Sequence, residues 1–161
     1  MSEIAELETY PDKDSWLKAR RTGLGSSDAP VILGLSSYKS PFELWAEKVG
    51  LAEVTREENE AMDWGKRLQP LVGKKYAEET ERLTTPFPEY ALLRHPGEPW
   101  LMASPDFWVD DPAKGRGLLE AKTASAWTKK QWQDEVPLAH QVQLAHQMLV
   151  VSVAWGSVAA L

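Results

Sequence analysis

Residues 105–122, PDFWVDDPAKGRGLLEAK, decide the fold, because they combine two short strand-like runs with charged side chains at fixed places. The runs 107–109 and 117–123 have a mostly extended character, and Gly115 and Gly117 lie ahead of the leucines of the second run. Glycine in a short connection between two extended runs is typical of a β-hairpin. We therefore predict a hairpin that returns its second strand beside the Pro-Asp pair at the start of the stretch.

The charged residues of this hairpin are expected to meet at one point. Side chains alternate between the two faces of a strand, so Glu120 and Lys122 share a face while Ala121 points into the protein. The returning strand brings Glu120 and Lys122 to Asp106, so that two carboxylates and an amine converge. Magnesium prefers oxygen ligands and is usually held by one or two carboxylates. The pattern predicts a site for Mg²⁺, with Mn²⁺ as a substitute, held by Asp106, Glu120 and the backbone carbonyl of Ala121.

The amine of Lys122 has a different expected role from the two carboxylates. An ammonium group cannot join the shell of a metal cation, so Lys122 is expected to orient the attacking water or to stabilise charge that builds on phosphorus. A Glu-x-Lys pair on a strand is also consistent with a solvated strand edge that has no catalytic role. The upstream Pro-Asp pair, the hairpin spacing and a glutamine-rich helix downstream favour the catalytic interpretation.

The composition of the whole chain fits one globular domain. The chain has 161 residues, of which 43% are hydrophobic and 26% are charged, and we expect a single domain over 1–161. The strand-like run 153–161 has no turn or cap after it, which predicts a chain truncated at its C-terminus. No run approaches the roughly 18 apolar residues of a membrane span and the first residues are acidic, so a cytoplasmic location is expected. The lack of cysteine excludes disulfides, thiol catalysis and cysteine-type zinc sites.

The net charge opposes a simple model of nucleic-acid binding. With 18 basic and 24 acidic residues the chain carries a net charge of −6, which repels a duplex on average. The basic residues are nevertheless clustered, which predicts a locally positive channel on an acidic body. The clusters are Lys18, Arg20 and Arg21; Lys66 and Arg67; Lys74 and Lys75; and Lys129 and Lys130.

Hydrophobic periodicity and capping residues predict helices before a small sheet and further helices after it. Helices are predicted over 13–21 with Asp12 or Asp14 as cap, over a short stretch capped by 26–28, over 41–50 behind a Ser40 capping box, and over 57–79, 125–134 and 138–151. Pro70 should kink or restart the fourth helix. Strands are predicted at 83–85, 90–94, 100–104, 107–109 and 117–123. This order predicts an α/β or α+β fold with a small mixed sheet flanked by helices and an N-terminal helical segment.

The same residues resemble a known nuclease family. The arrangement of Pro105-Asp106 followed by Glu120-Ala121-Lys122 resembles the PD-(D/E)xK nuclease core. The flanking segments are similar to the YqaJ-type viral recombinase branch of that superfamily, the phage lambda exonuclease family. The similar stretches are Trp16 to Asp28 (WLKARRTGLGSSD), Trp64 to Val72 (WGKRLQPLV) and Gln141-Val142-Gln143 in HQVQLAHQM. The resemblance implies a restriction-endonuclease-like core.

The resemblance also implies roles for residues outside the hairpin. Gln141, the first glutamine of the QVQ motif, would lie at the catalytic centre and help to hold the water or phosphate. Periodicity agrees in placing Gln141 on a different face of the 138–151 helix from the predicted core stripe of Val142, Ala145 and Leu149. We therefore expect Gln141 to be available to the site.

The glycine-rich segment near the N-terminus is a predicted phosphate site. Exposed amides at a glycine turn before a helix attract an anion, and a neighbouring guanidinium can grip it. By resemblance, Arg21 would bind a 5′-terminal phosphate, with Ser27 close to it. An ordinary glycine-rich connector with a capping Ser-Ser-Asp explains the segment equally well.

Gln69 is where the chain departs from the family pattern, which usually has a glutamate at this place in WGKRLQPLV. An amide can still coordinate a metal through its carbonyl oxygen, but it supplies no charge. Gln69 is consistent with natural variation that leaves Asp106 and Glu120 sufficient, with an engineered change, or with lost activity.

Together these features predict a magnesium-dependent exonuclease. The resemblance implies in-line attack of water on the phosphodiesters of one strand of duplex DNA, from 5′ to 3′, in phage-type homologous recombination. It further implies a homotrimer that encloses DNA and a single-strand annealing protein as partner. A non-catalytic DNA-end binding module with a degenerate metal site, motivated by Gln69, is the alternative. A protein-interaction domain that uses the fold only as a scaffold is a second alternative.

Overall fold

The computed structural model describes residues 5–52, 60–124 and 129–161, which fold into two β-sheets with helices packed around them. The helices are α1 (Lys13–Arg20), α2 (Ala29–Ile32), α3 (Pro41–Lys48), α4 (Glu60–Thr80) and α5 (Leu138–Val151), with a 3₁₀ turn at Lys129–Trp132. The strands are β1 (Glu6–Thr9), β2 (Leu83–Pro86), β3 (Ala91–Arg94), β4 (Met102–Ala103), β5 (Phe107–Asp111), β6 (Gly115–Lys122) and β7 (Gly156–Ala160). The predicted mixed α+β class is confirmed.

Local capping explains where the N-terminal helices begin. Asp12 caps α1 by accepting a hydrogen bond from the Ser15 amide at 2.7 Å. The predicted capping box of α3 is present, because Ser40 Oγ accepts from the Glu43 amide and the Glu43 carboxylate accepts from the Ser40 amide. Asp28 stands at the start of α2 without capping it, since its carboxylate accepts from the Gly25 amide instead.

The long helix α4 continues through Pro70, so the predicted restart there is wrong. A proline inside a helix removes one hydrogen bond and crowds the preceding turn. Packing of α4 against β2, β6 and β7 holds the helix together and offsets that cost. The first residues of the predicted helix, 57–59, lie outside the described residues.

The larger sheet contains the predicted hairpin. Its strand order is β2-β5-β6-β7, with antiparallel pairs up to β6 and a parallel pair between β6 and β7. In the hairpin Phe107 lies opposite Leu119, and Gly115 takes a positive φ of 74° at the turn. Gly117 pairs with Val109 within the strand, and it has to be small because a Cβ there would lie 2.4 Å from the Trp155 ring.

A second, three-stranded sheet was not predicted, so the expectation of a single small sheet was incomplete. Its order is β1-β3-β4, and both pairs are antiparallel. The sequence of β1, ELET, has no apolar alternation, and the strand is held by pairing with β3 and by the ion pair of Glu8 with Arg94 at 2.9 Å. Such partners are distant in sequence, so local patterning does not show them.

The two faces of the larger sheet have different partners. Phe107, Val109 and Leu119 form a buried cluster on the face toward α4, where Phe107 contacts Gly73. Glu120 and Lys122 project from the opposite face, where they bond to glutamines of α5. The alternation predicted for β6 is therefore confirmed, and one strand builds both the core and a polar cluster.

The rotation of α5 differs from the predicted one. Its buried residues are Leu144, Gln147 and Val150, whereas Leu149 of the predicted core stripe is exposed. The helix carries apolar residues on several sides, so more than one stripe fits the sequence. The predicted 125–134 helix lies partly outside the described residues, and its described part is the 3₁₀ turn.

No helix within the three described ranges has the length and apolar character to cross a membrane.

Two glycines of α4 provide a test of how closely the helix packs on the sheet. A Cβ at Gly73 would lie 2.5 Å from the Phe107 ring, so Gly73→Ala is expected to destabilise the fold by about 1–3 kcal/mol. At Gly65 the nearest atom is Thr123 Oγ1 at 3.6 Å, and Gly65→Ala should leave stability unchanged or raise it by up to about 1 kcal/mol. Urea denaturation measures both, and equal unfolding free energies would contradict the packing of α4 described above.

Candidate functional site

The three charged residues of the hairpin come together where β5 begins and β6 ends. Asp106 directly precedes β5, and its Oδ2 accepts a hydrogen bond from the Ala121 amide at 2.8 Å. Lys122 follows Ala121 in β6, and its Nζ donates a hydrogen bond to Glu120 Oε1 at 2.7 Å. The structure therefore places Asp106, Glu120 and Lys122 around Ala121, as the alternation of β6 requires.

The Ala121 carbonyl lies on the same side of β6 as Asp106. The N–H and C=O groups of one strand residue project to the same edge, and the Ala121 N–H points to Asp106. The backbone carbonyl of the next residue, Lys122, projects to the opposite edge of the strand. There it accepts a hydrogen bond from the Leu161 amide, next to β7, at 3.1 Å. The carbonyl of Ala121 is thus available on the side of the first carboxylate.

The two carboxylates create an excess of negative charge at the site. Burial and the nearby charge of Glu120 raise the pKa of Asp106 from its ordinary 3.8 to about 7, while the Ala121 amide and Lys122 act in the opposite direction. Glu120 itself is only 3% exposed. An ionised pair in this position is stabilised by a further positive charge.

Two glutamines of α5 hold the Glu120 carboxylate from above the sheet. Gln143 donates to Glu120 Oε1 at 2.6 Å and accepts from Lys122 Nζ at 2.9 Å. Gln147 donates to Glu120 Oε2 at 2.7 Å. The two glutamines are four residues apart and so lie on one face of the helix. That spacing in HQVQLAHQM was the signal that sequence reasoning missed.

Gln141 does not join this cluster, which corrects the role that the resemblance implied for it. Its amide is exposed and donates to the Val136 carbonyl at 2.6 Å. Two residues along a helix correspond to about half a turn, so Gln141 and Gln143 cannot face the same strand. Gln143 is the member of the QVQ motif that contacts Glu120 and Lys122.

In the N-terminal segment the arginine that contacts Ser27 is Arg20, whereas the sequence predicted Arg21 as the arginine beside it. Arg20 Nη2 donates to Ser27 Oγ at 3.1 Å, and its guanidinium lies 4.6 Å from the Trp16 ring centroid. Gly25 permits this approach, because a Cβ there would lie 3.3 Å from Arg20 Nη2. Arg21 is the residue after α1 and points toward Gly50. Arg20 and Arg21 are consecutive residues at the end of the helix, so their side chains point in directions about 100° apart.

Buried ionic contacts fix the same segment. Asp28 is buried, pairs with Lys48 at 2.7 Å and accepts from the Gly25 amide at 2.9 Å. Lys48 also donates to the backbone carbonyl of Arg20 at 2.9 Å. The glycine turn between α1 and α2 is therefore held by α3, which supplies Lys48.

Gln69 lies on the face of α4 that is turned to the ends of β5 and β6. It is one turn from Gly65, which approaches Thr123, and one turn from Gly73, which approaches Phe107. Thr123 and Phe107 directly follow Lys122 and Asp106 in the sequence. Across 5–52, 60–124 and 129–161, no three Asp, Glu or His side chains form a group that could hold a metal ion.

Three basic residues of α4 have acidic partners one turn away. Arg67 pairs with Asp63, and the other two pairs are Lys74 with Glu78 and Lys75 with Glu79. All three pairs are exposed and contribute little energy. The positive channel remains a prediction, and the side chains of 129 and 130 lie outside the described residues.

Comparison with known proteins gives consistent matches over most of the chain. A family model described as the YqaJ-like viral recombinase domain matches residues 15–154. The uncharacterized protein YqaJ of Bacillus subtilis (strain 168) is 34% identical over 151 residues, which cover 93% of this chain and 46% of that protein. The chain thus spans about half the length of this relative.

Solved structures match the fold. The crystal structure of an alkaline exonuclease, LHK-Exo, from Laribacter hongkongensis superposes with a TM-score of 0.73 at 25% identity, covering 92% of this chain and 73% of that one. The structure of LHK-Exo in complex with dAMP matches equally well. These matches confirm the predicted PD-(D/E)xK core and the family resemblance, and the chain belongs to the YqaJ-like viral recombinase domain family.

Proposed function

We propose that this chain is the nuclease domain of an exonuclease that hydrolyses one strand of duplex DNA from a 5′ end. The observation that carries the proposal is the convergence of Asp106, Glu120 and Lys122 at one end of the hairpin, with Gln143 bonded to two of them. Membership of a viral recombinase family and similarity to an alkaline exonuclease support it. Binding of dAMP to that exonuclease agrees with a nucleotide product.

The donor set fits a hard divalent cation such as Mg²⁺ or Mn²⁺. Asp106, Glu120 and the Ala121 carbonyl would hold the ion, with the amide oxygen of Gln69 as a neutral fourth donor. The raised pKa of Asp106 supports the fit, because two buried carboxylates need a positive charge to stay ionised together. When bound, the ion would stabilise negative charge on the phosphate and lower the pKa of a water.

Lys122 is the group proposed to act on the reacting phosphate. Its ammonium is held by Glu120 and Gln143 and so stays beside the carboxylates while one hydrogen remains for water or phosphate. From this position it can orient the attacking water or stabilise charge on the phosphoryl oxygens. Gln143 would act by fixing that orientation.

The segment from Arg20 to Ser27 is proposed to bind the terminal 5′ phosphate. Arg20 replaces Arg21 in this role, because its guanidinium is the one that reaches Ser27. The backbone of the glycine turn is fixed by Asp28 and Lys48, which suits a site for an anion. A 5′ phosphate anchor beside the carboxylates supports exonuclease action with 5′ to 3′ polarity.

Further properties follow from the family and are proposals for this chain. They are action in phage-type homologous recombination, a homotrimer around DNA, a single-strand annealing protein as partner, and reaction in the cytoplasm of the host cell. The alternative function is a DNA-end binding module without activity, which the neutral Gln69 favours because it lowers the charge offered to a metal.

Replacing Lys122 tests the enzymatic proposal. With Mg²⁺ and end-labelled duplex, Lys122→Met is expected to lower the rate of nucleotide release by about 100-fold or more, because the water or phosphate loses its cation. DNA binding in gel-shift assays should persist. Lys114→Met is the matched control, since Lys114 is exposed in the turn at the opposite end of the hairpin. Near-full hydrolysis by Lys122→Met would remove Lys122 from the mechanism, and a wild type that shifts DNA without shortening it would favour the binding module.

Replacing each glutamine of the QVQ motif in turn tests which of them acts at the site. The structure favours Gln143, whereas the family resemblance implied Gln141. Gln143→Met should reduce hydrolysis by about 10-fold or more, because Glu120 and Lys122 both lose a partner. Gln141→Met should retain hydrolysis, since the Gln141 amide donates to the Val136 carbonyl and lies on a different side of the helix from Gln143. The same release assay measures both, and the reverse pattern would restore Gln141 to the site.

The raised pKa of Asp106 predicts how stability depends on pH in the metal-free protein. An acid whose pKa rises on folding stabilises the fold while it is protonated, and this contribution is lost as pH increases toward about 7. Asp106→Asn should remove that loss and so be more stable than the wild type near pH 8 by about 1–4 kcal/mol, with a smaller difference near pH 4. Urea unfolding in EDTA measures the difference, and parallel pH curves for the two proteins would contradict the raised pKa.

A further inference from the structure

Gln147 is a long polar side chain in the centre of the molecule. It is 0% exposed, and its Nε2 donates to Glu120 Oε2 at 2.7 Å and lies 3.4 Å from Ser26 Oγ. Within the described residues its Oε1 is buried without a hydrogen-bond partner. Only the amide nitrogen of this side chain therefore has partners, and both partners belong to other elements.

The unpaired carbonyl indicates that Gln147 is not optimal for stability. Burying an amide oxygen without a partner costs about as much as a hydrogen bond to a carboxylate gains. An apolar side chain of similar size would avoid that cost and fill the same space. What glutamine supplies here, and an apolar side chain would not, is the hydrogen-bond donor to Glu120.

A neutral donor suits a carboxylate that must keep its charge. Glu120 already shares Oε1 between Lys122 and Gln143, so Oε2 is the oxygen left to be fixed. A lysine or arginine at 147 would fix Oε2 and also cancel the charge that attracts a cation. The Gln147 amide orients Oε2 and leaves the charge in place.

The second partner connects Glu120 to the N-terminal segment. Ser26 is 6% exposed and lies between Gly25, which contacts Arg20, and Ser27, which accepts from Arg20. A single amide group thus spans from the carboxylate on β6 to the turn that carries Arg20 and Ser27. Movement of that turn would change the position of the Gln147 amide.

We propose that Gln147 is a positioning residue that orients Glu120 for cation binding and makes this orientation depend on Ser26. The inference rests on the proposed function only in treating Glu120 as a metal ligand. Gln147 contacts neither DNA nor the reacting atoms in this scheme. It acts through Glu120, so its effect should be seen in metal binding before any catalytic step.

The test is Mn²⁺ binding to the full chain, measured by calorimetry without DNA. Gln147→Met keeps the volume and removes the donor, and it is expected to weaken Mn²⁺ binding by about 10–100-fold. Its melting temperature without metal should stay within about 3 °C of the wild type, because the lost donor and the relieved carbonyl offset each other. Gln133→Met, at an exposed position, is the matched control and should bind Mn²⁺ like the wild type. Unchanged Mn²⁺ affinity in Gln147→Met would overturn the proposal.

Ser26→Ala tests the dependence on the N-terminal segment. Alone it should weaken Mn²⁺ binding several-fold, and in combination with Gln147→Met it should have no further effect, because both changes act through one amide. Independent, multiplying effects would overturn the link to Ser26.

Nuclease activity provides a separate measurement. Gln147→Met should need about 10-fold or more Mg²⁺ for half-maximal hydrolysis, with an unchanged KM for DNA at saturating Mg²⁺. If the wild type binds Mn²⁺ but does not cleave DNA, the nuclease proposal fails while weaker binding by Gln147→Met still supports the inference. If the wild type cleaves and both proteins bind Mn²⁺ equally, the inference alone fails.

Discussion

The constraint that organises this molecule is the burial of two carboxylates, Asp106 and Glu120, at the end of one hairpin. Loss of water on burial, and then the nearby charge of Glu120, raise the pKa of Asp106 to about 7. Lys122 offsets one of the two charges, and the groups that approach from α5 and the adjacent backbone are neutral donors. With both acids ionised the cluster retains a net negative charge, which is the condition that a bound cation would satisfy.

The pleat of β6 allows this cluster to exist next to a tightly packed core. Leu119 packs with Phe107 on the side of α4, and Glu120 faces α5 one residue later. Because one strand carries both sets of side chains, a shift of the register by one residue would exchange core and site. The close contacts of Gly73 with Phe107 and of Gly117 with Trp155 hold the register from both ends of the hairpin.

Sequence reasoning succeeded where structure depends on neighbours along the chain. The hairpin, the capping box at Ser40 and the shared face of Glu120 and Lys122 all follow from local geometry. It failed where a distant partner decides the outcome: β1 exists because β3 pairs with it, and the rotation of α5 is set by what its residues meet. The predictions for Gln141 and Arg21 failed for the same reason. Gln143 and Arg20 lie one or two residues away, and only their distant partners show which residue makes the contact.

The rotation of α5 is itself explained by the polar cluster. A helix with apolar residues on several sides has no strong preference for one stripe, so specific contacts decide which face is buried. In the observed rotation Glu120 accepts from Gln143 on one oxygen and from Gln147 on the other, and Gln147 is buried together with Leu144 and Val150. The same helix rotation therefore serves both the apolar packing and the polar cluster, and Ser26 joins the N-terminal turn to this arrangement through its contact with Gln147. Through the Gln147 amide, hydrogen bonds connect the N-terminal glycine turn to the Glu120 carboxylate.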